Sequence, residues 1–188
     1  MTKPKEPPMK CSVFLATSMD GYIASEDGSI HWLDEANAGL PDGEDCGFAE
    51  FLDSVDYLIM GRKTFEQVVS FGDWPYGEIN VIVLTSKPNI IPSSIPKTVS
   101  QSSEDIQSLY EQIKNKGAHK LYVDGGTTVN SFLKAGLVDD ITLTQVPVFI
   151  GNGISLFTDG LLKLKLMASR SWNFGFVQNE FLVLKDWL

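Results

Sequence analysis

Two short elements of this chain combine glycine with residues that suit the binding of an anion. The first, residues 61–64 with the sequence Gly-Arg-Lys-Thr, directly follows the apolar run at residues 57–60. A glycine lets the backbone approach a ligand, and a helix that begins there offers N–H groups beside two cations. The pattern favours a phosphate site; a helix start with two solvated cations is the alternative. An ATP-binding P-loop is excluded, because arginine follows the glycine and position 56 is aspartate.

The second element, residues 124–128 with the sequence Asp-Gly-Gly-Thr-Thr, follows the apolar run at residues 121–123. A glycine pair between a strand and a helix allows a pyrophosphate to lie against the backbone, and threonine hydroxyls can cap the helix or bond a phosphate oxygen. A tight turn with a capped helix is the alternative. The sequence does not favour a standard Rossmann site, because the only Gly-x-Gly, at residues 151–153, stands late in the chain and lacks the third glycine.

A third segment, residues 84–87, ends another strongly apolar run with two hydroxyl side chains and a lysine. Its Thr85 and Ser86 could contact the adenosine side of a nucleotide. A strand that ends in a turn before Pro88 is the alternative. All three segments follow runs of strand length, so their spatial relation depends on the sheet that these runs form.

Apolar runs and helical spacings alternate along most of the chain. Strands are predicted at residues 11–17, 57–60, 79–85, 121–123 and 141–149, the last of them interrupted at Pro147. Helices are predicted around residues 48–54, 65–69, 106–113 and 129–133, whereas residues 26–44 are rich in turn-forming residues and are expected to be mostly loop. Two final strands, at residues 161–171 and 174–184, have no helix between them.

This order predicts an α/β fold with a mostly parallel, doubly wound sheet, helices on both faces and an antiparallel C-terminal edge. Ligands of open α/β sheets bind at the C-terminal ends of the strands. Gly61 and Gly125 both stand at such ends, so the two glycine elements are expected at the same edge of the sheet.

Bulk properties limit the class of protein. The 188 residues, 43% hydrophobic and 21% charged, fit one domain at residues 10–188 after a flexible tail at residues 1–9. No apolar run is long enough to cross a membrane, no secretory signal is evident, and Cys11 and Cys46 form no metal-binding or disulfide pattern. We therefore expect a cytoplasmic protein without a metal. The net charge of −9 argues against nucleic-acid binding.

The motifs resemble a known family when they are taken in order. The segments at residues 18–24 (Ser-Met-Asp-Gly-Tyr-Ile-Ala), 61–64, 84–86, 123–126 and 146–153 together resemble the dihydrofolate-reductase-like superfamily. The closer match is the reductase domain of the riboflavin-biosynthesis deaminase-reductase, in a stand-alone form, and it covers roughly residues 10–186. The resemblance implies NADPH as hydride donor, a pterin-like or aminopyrimidine-type heterocycle as substrate, and a homodimer that uses the strand at residues 141–149 and the C-terminal strands.

The resemblance also implies a role for each segment. Residues 61–64 would hold the adenosine-side phosphates, including the 2′-phosphate, the glycine pair would hold the pyrophosphate, and the first strand with its loop would border the nicotinamide. The implied cofactor residues are Ala16, Gly21, Gly61, Arg62, Lys63, Thr64, Thr85, Ser86, Gly125, Gly126 and Thr127.

Hydride transfer needs chiefly position and a dry pocket, but reduction of a C=N or C=O bond also needs a proton. In dihydrofolate reductases a carboxylate on the helix after the first loop serves the substrate. Its nearest counterpart by spacing is Asp45, with Asp20 as the second catalytic candidate and Glu44 and Glu50 as competitors. Apolar surroundings would raise the pKa of such an acid, whereas a solvated loop acid is the alternative. Trp32 is expected either to form a wall of the substrate pocket or to be a core aromatic.

The charge distribution narrows the substrate. Residues 11–61 contain eleven carboxylates and no lysine or arginine. A phosphorylated riboflavin precursor or a folate, both anionic, would normally need a cation there. We therefore expect a neutral or cationic heterocycle. A nucleotide-binding module without catalysis and a homodimeric interaction protein are the alternative functions.

Overall fold

The computed structural model of the chain describes residues 8–87, 91–157, 160 and 162–185. Its centre is an eight-stranded sheet whose strands are β1 (Lys10–Thr17), β3 (Tyr57–Gly61), β4 (Asn80–Leu84), β5 (Val99–Ser102), β6 (Lys120–Asp124), β7 (Asp140–Gln145), β9 (Leu164–Ser171) and β10 (Val177–Val183). Two further strands, β2 (Tyr22–Ala24) and β8 (Ile154–Ser155), pair with each other. The helices are α1 (His31–Asn37), α2 (Phe48–Asp53), α3 (Arg62–Ser70), α4 (Ile106–Asn115) and α5 (Gly126–Lys134).

The strand order in the sheet is β5-β4-β3-β6-β1-β7-β10-β9. The six strands from β5 to β7 pair in parallel, whereas β10 pairs antiparallel with both β7 and β9. The predicted α/β class, with a parallel sheet and an antiparallel C-terminal edge, is therefore confirmed. Because the six strands are parallel, their C-terminal ends meet at one edge of the sheet.

Both faces of the sheet are covered by helices. One face packs against α4 and α5 through a cluster that includes Ile59, Leu121, Val123, Ile113 and Phe132. The other face packs against α2 and α3 through a cluster that includes Leu58, Met60, Val81, Phe51 and Phe65. Burial on both faces explains why these strands are runs of apolar residues without alternation.

Three local predictions differ from the structure. Residues 26–44 contain the helix α1, which begins without a side-chain cap and so gives no local start signal. The strand predicted at residues 141–149 ends at Gln145, since Pro147 has no N–H to donate and the chain turns there, with the Val148 N–H bonded to the Val146 carbonyl at 2.7 Å. Strand β5 was not predicted, because only Val99 of its four residues is apolar and buried.

At the N-terminus, residues 1–7 of the expected tail lie outside the described residues, whereas Met9 is 4% exposed and packs in the core. Among the residues that the structure describes, no helix is both long and apolar enough to cross a bilayer. The same residues contain no group of three or more histidine, cysteine, aspartate or glutamate side chains placed to hold a metal ion.

Candidate active site

The two glycine elements lie side by side at the C-terminal edge of the sheet. Strands β3 and β6 are neighbours, with Met60 opposite Asp124, so the chain leaves both strands at adjacent points. Helix α3 begins after Gly61 and helix α5 after Gly125. The structure therefore brings together the two segments from which the sequence predicted a single cofactor site.

The contact between these turns leaves no room for a side chain at Gly125. A Cβ added there would overlap the hydroxyl of Thr64, and a Cβ at Gly61 would lie 3.1 Å from Thr128 Oγ1. Gly125 also has a φ of +85°, a conformation that residues with a side chain rarely adopt. A Cβ added at the next glycine, Gly126, would lie 2.6 Å from Ile23 Cδ1 of β2. The two turns thus form a backbone cradle.

The helices that leave this cradle have no side-chain caps. The N-cap residues of α3 and α5 are Gly61 and Gly125, which have no side chain that could cap a helix. Asp105, in contrast, caps α4 by accepting from the Ser108 N–H at 3.0 Å. N–H groups of the first turn that no side chain caps can bind an anion, and the helix dipole adds to the attraction. A pyrophosphate group fits this arrangement of donors.

Two cations stand at the start of α3. Arg62 Nη1 lies 2.7 Å from Glu66 Oε1, one turn further along the helix, and both side chains are well exposed. Lys63 is exposed. Such a surface ion pair contributes little free energy, so the guanidinium can exchange Glu66 for a phosphate at low cost.

A shallow pocket of about 270 Å³ opens at the ends of β4 and β5. Its lining residues are Leu84, Thr85, Ser86, Ser102, Ser103 and Glu104. The Thr85 hydroxyl accepts from the Lys87 N–H at 3.1 Å and donates to the Lys87 carbonyl at 2.8 Å, so it shapes the turn that ends the pocket. Leu84 pairs with Gly61, which places the pocket beside the cradle. The expected adenosine-side residues Thr85 and Ser86 therefore lie next to the phosphate elements.

On the other side of β6, strand β1 carries Ala16, which is half-buried and paired with Thr144. The loop after β1 turns at Gly21, which has a φ of +87°. Thr127, in contrast, is an exposed residue in the first turn of α5. The expected cofactor residues thus follow the sheet edge from the ends of β4 and β5 to the loop after β1.

Asp20 fastens the first loop to a distant loop. Its carboxylate accepts from the Ser18 hydroxyl at 2.7 Å and from the N–H groups of Ile150 and Gly151 at 3.3 Å and 2.8 Å. The Ser18 bond is the main cause that lowers the pKa of Asp20, and the two N–H groups act in the same direction. An acid that stays ionised is a poor proton donor, so these contacts favour a positioning role over the catalytic role expected for Asp20.

Asp45 does not have the apolar surroundings that its expected role requires. Its exposed carboxylate accepts from the N–H groups of Gly47 and Ala49, at 2.9 Å and 2.7 Å, and so holds the start of α2. Its neighbour Glu44 is directed inward. One oxygen of Glu44 accepts from the Cys46 N–H at 2.8 Å, and the other accepts from Trp172 Nε1 at 3.0 Å. Of the two acids, Glu44 is the one bonded to an aromatic side chain.

Trp32 lies in an apolar cluster on the side of β1 and β7. It is 8% exposed and clusters with Cys46, Val146 and Phe176, while Ala16 packs against the same cluster. Its Nε1 is buried and has no hydrogen-bond partner in the described part of the chain. A buried donor without an acceptor is costly, so an acceptor atom that reached this N–H would be bound favourably.

Asp124 is a further candidate, which the sequence did not single out because its motif predicts only a turn. It is 9% exposed. Its carboxylate accepts from the Gly125 N–H at 2.8 Å and from the Tyr76 hydroxyl at 3.4 Å. Burial is the main cause that raises the pKa of Asp124. An acid placed directly after an apolar run was the signal available in the sequence.

Comparison with known proteins agrees with this geometry. The sequence model of the RibD C-terminal domain matches residues 10–177. YwjB of Bacillus subtilis (strain 168), an uncharacterized protein, is 34% identical over 169 residues, which cover 88% of this chain and 92% of YwjB.

Two solved structures place the fold. A putative riboflavin biosynthesis protein from Shewanella sp. PV-4 superposes with a TM-score of 0.86 at 33% identity, covering 94% of this chain and 99% of that one. Dihydrofolate reductase from Enterococcus faecalis superposes with a TM-score of 0.61 at 16% identity, covering 93% and 96% of the two chains, which shows a shared fold alone. This chain therefore belongs to the RibD C-terminal domain family and has the dihydrofolate-reductase-like fold that its motifs predicted.

Proposed function

We propose that this protein is an NADPH-dependent reductase that transfers a hydride to a pterin-like or aminopyrimidine-type heterocycle. The family and the fold support a reductase-type function in general. The observation that carries the proposal for the cofactor is the glycine cradle between the uncapped starts of α3 and α5. Among the fold relatives, the dihydrofolate reductase of E. faecalis was solved in complex with NADP(H).

Each part of the sheet edge would hold one part of the dinucleotide. The first-turn N–H groups after Gly61 and Gly125 would donate to the pyrophosphate, while Arg62 and Lys63 would neutralise the 2′-phosphate. Thr85 and Ser86 would line the adenosine side. When bound, NADPH supplies the hydride, and the loop after β1 keeps that end of the site in place through the contacts of Asp20.

The substrate side is apolar, aromatic and negatively charged. The buried Trp32 N–H would donate to a carbonyl or ring nitrogen of a flat heterocycle. The carboxylates between residues 11 and 61 would repel an anionic substrate. One cation opposes them, since Arg170 lies 4.4 Å over the ring of Trp172, which packs against the Trp32 cluster. A neutral or cationic heterocycle therefore suits this side better than a phosphorylated or glutamylated one.

A proton must accompany the hydride. Asp20 is held ionised, whereas the raised pKa of Asp124 favours its protonated form. Asp124 also lies directly beside the glycine cradle, with Tyr76 as its hydrogen-bond partner. We therefore propose Asp124, rather than Asp20 or Asp45, as the acid that keeps a proton at the site.

Self-association is a further part of the proposal. Strand β9 is one of the two edge strands of the sheet, and its residues from Lys165 onward are all exposed, including Leu166 at 54% and Met167 at 59%. An exposed apolar edge strand readily pairs with another strand. Strand β7 lies between β1 and β10, so it offers no edge of its own. The expected homodimer would use the C-terminal strands, and a monomer in light scattering at micromolar concentration would refute it.

The proposed reaction is tested by NADPH binding, followed by NADPH oxidation with dihydrofolate, the phosphorylated riboflavin precursor and its unphosphorylated analogues. Substrate-dependent oxidation, fastest with an uncharged analogue, is the expected result. Binding without oxidation by any of these compounds would favour a nucleotide-binding module without catalysis. Undetectable binding of any dinucleotide at millimolar concentration would favour an interaction protein.

A further inference from the structure

The pocket at the ends of β4 and β5 contains a charge of the wrong sign for a phosphate. Four of its six lining residues, Thr85, Ser86, Ser102 and Ser103, carry hydroxyl groups, and none of the six is lysine or arginine. Among the described residues that line the pocket, Glu104 alone is charged. A pocket of this composition accepts hydrogen bonds from sugar hydroxyls well, but it does not neutralise an anion.

Glu104 is held at this position by two contacts. Its backbone N–H donates to the Ser102 hydroxyl at 3.1 Å, and its carboxylate accepts a hydrogen bond from Gln112 Nε2 on α4. The adjacent Asp105 caps the same helix. The carboxylate therefore stays at the rim of the pocket, because both its main chain and its side chain are bonded to the surrounding structure.

The nearest arginine in the proposed site is already paired with an acid. Arg62 Nη1 lies 2.7 Å from Glu66 Oε1, so part of its charge is neutralised before any ligand arrives. The adenosine end thus has two carboxylates, Glu66 and Glu104, against three cations, Arg62 and the exposed Lys63 and Lys87. A carboxylate is a good acceptor for a ribose 2′-hydroxyl, whereas it repels a 2′-phosphate.

On the basis of the proposed function, we infer that Glu104 is a specificity-determining residue that limits the preference for NADPH over NADH. The pocket beside Gly61 receives the adenosine ribose. There the Glu104 carboxylate accepts from the 2′-hydroxyl of NADH and opposes the 2′-phosphate of NADPH. Arg62 and Glu104 then act in opposite directions on the same group of the cofactor.

Two ligands that lack the nicotinamide isolate this end of the site. We suggest titrating the full chain by calorimetry with ADP-ribose and with its 2′-phosphorylated form, at one fixed low ionic strength. Glu104→Gln removes the charge while its amide oxygen still accepts from Gln112. Glu111→Gln, on helix α4 and outside the pocket, is the matched control, since it removes an equal charge from a surface ion pair with Lys114.

The expected result is that Glu104→Gln raises the affinity for the 2′-phosphorylated ligand, relative to ADP-ribose, by about three- to tenfold, while Glu111→Gln leaves this ratio unchanged. Added salt should reduce the difference. An unchanged ratio in Glu104→Gln, or an equal change in both variants, would overturn the role of Glu104 and leave the proposed function standing. Failure of the wild-type chain to bind either ligand, NADPH or NADH would overturn the proposed function together with this inference.

Discussion

Gly125 and Thr64 are in such close contact that any side chain at position 125 would overlap the Thr64 hydroxyl. The two residues are 61 positions apart in the sequence and belong to different turns. One turn leads into helix α3 and the other into helix α5. This contact joins the two glycine elements into one cradle. It also provides the most direct way to test whether that cradle is a binding site.

Gly125→Ala should abolish dinucleotide binding and lower the free energy of unfolding by more than a glycine replacement elsewhere. Gly72→Ala is the control, because Gly72 has a similar φ of +91° but no atom within 4 Å of its Cβ position. The control should lose only the free energy of unfolding that a residue with a side chain costs at a positive φ, about 1–3 kcal/mol. Urea unfolding and NADPH titration measure both effects. If Thr64→Ala does not restore part of the stability of Gly125→Ala, the contact is not the cause.

Arg62→Ala should weaken NADPH binding by at least about tenfold and weaken NADH binding much less, because a guanidinium bonds the 2′-phosphate that NADH lacks. Glu66→Gln frees the guanidinium of its partner and should have the opposite effect on NADPH. Fluorescence titration with both cofactors measures the ratio. Equal losses of affinity for the two cofactors in Arg62→Ala would contradict the assignment of the 2′-phosphate to this residue.

Asp124→Asn should remove the dependence of stability on pH that Asp124 causes. Its folded-state pKa lies above its unfolded value, so its contribution is fully present below the unfolded pKa of about 3.9 and is lost as the pH rises through the folded pKa. The wild type should therefore lose stability relative to Asp124→Asn as the pH rises from 4 to 8. Urea unfolding across this range measures the difference, and a constant difference would contradict the shifted pKa.

Asp124→Asn should also lower kcat much more than it changes KM, because the asparagine keeps the Gly125 contact but cannot supply a proton. Asp45→Asn is the matched control, since the asparagine Oδ1 can still accept one of the two N–H bonds at the start of α2 and can therefore still cap this helix. The control should keep nearly all activity. The reverse pattern would restore Asp45 as the catalytic acid.

Trp32→Phe should raise the KM for the heterocycle several-fold, because it keeps an aromatic ring in the cluster but removes the buried N–H. Trp74→Phe is a close control: Trp74 Nε1 is also buried without a partner among the described residues, yet this residue packs with Phe65 and Tyr76 in a different apolar cluster. Both variants should lose a similar amount of stability. An equal change of KM in the two variants would contradict the assignment of Trp32 to the substrate site.

Much of the cofactor edge was predictable from the sequence because its signals are local. A strand buried on both faces is a short run of apolar residues, and the glycines that follow such runs mark turns into helices. Parallel strands end at the same edge of a sheet, so the convergence of Gly61 and Gly125 followed from the order of the elements alone. Helix α1 was not predicted, because it has no local start signal.

The state of each acid was decided only by the tertiary structure. Asp124 is buried against Tyr76, Asp20 is bonded by Gly151, and Glu44 is bonded by Trp172, all of them far apart in sequence. Desolvation and hydrogen bonding set the pKa of a carboxyl group, and both depend on neighbours that local sequence does not reveal. The sequence by itself thus determined the fold and the position of the cradle, whereas the packing of distant segments decided which acid keeps a proton there.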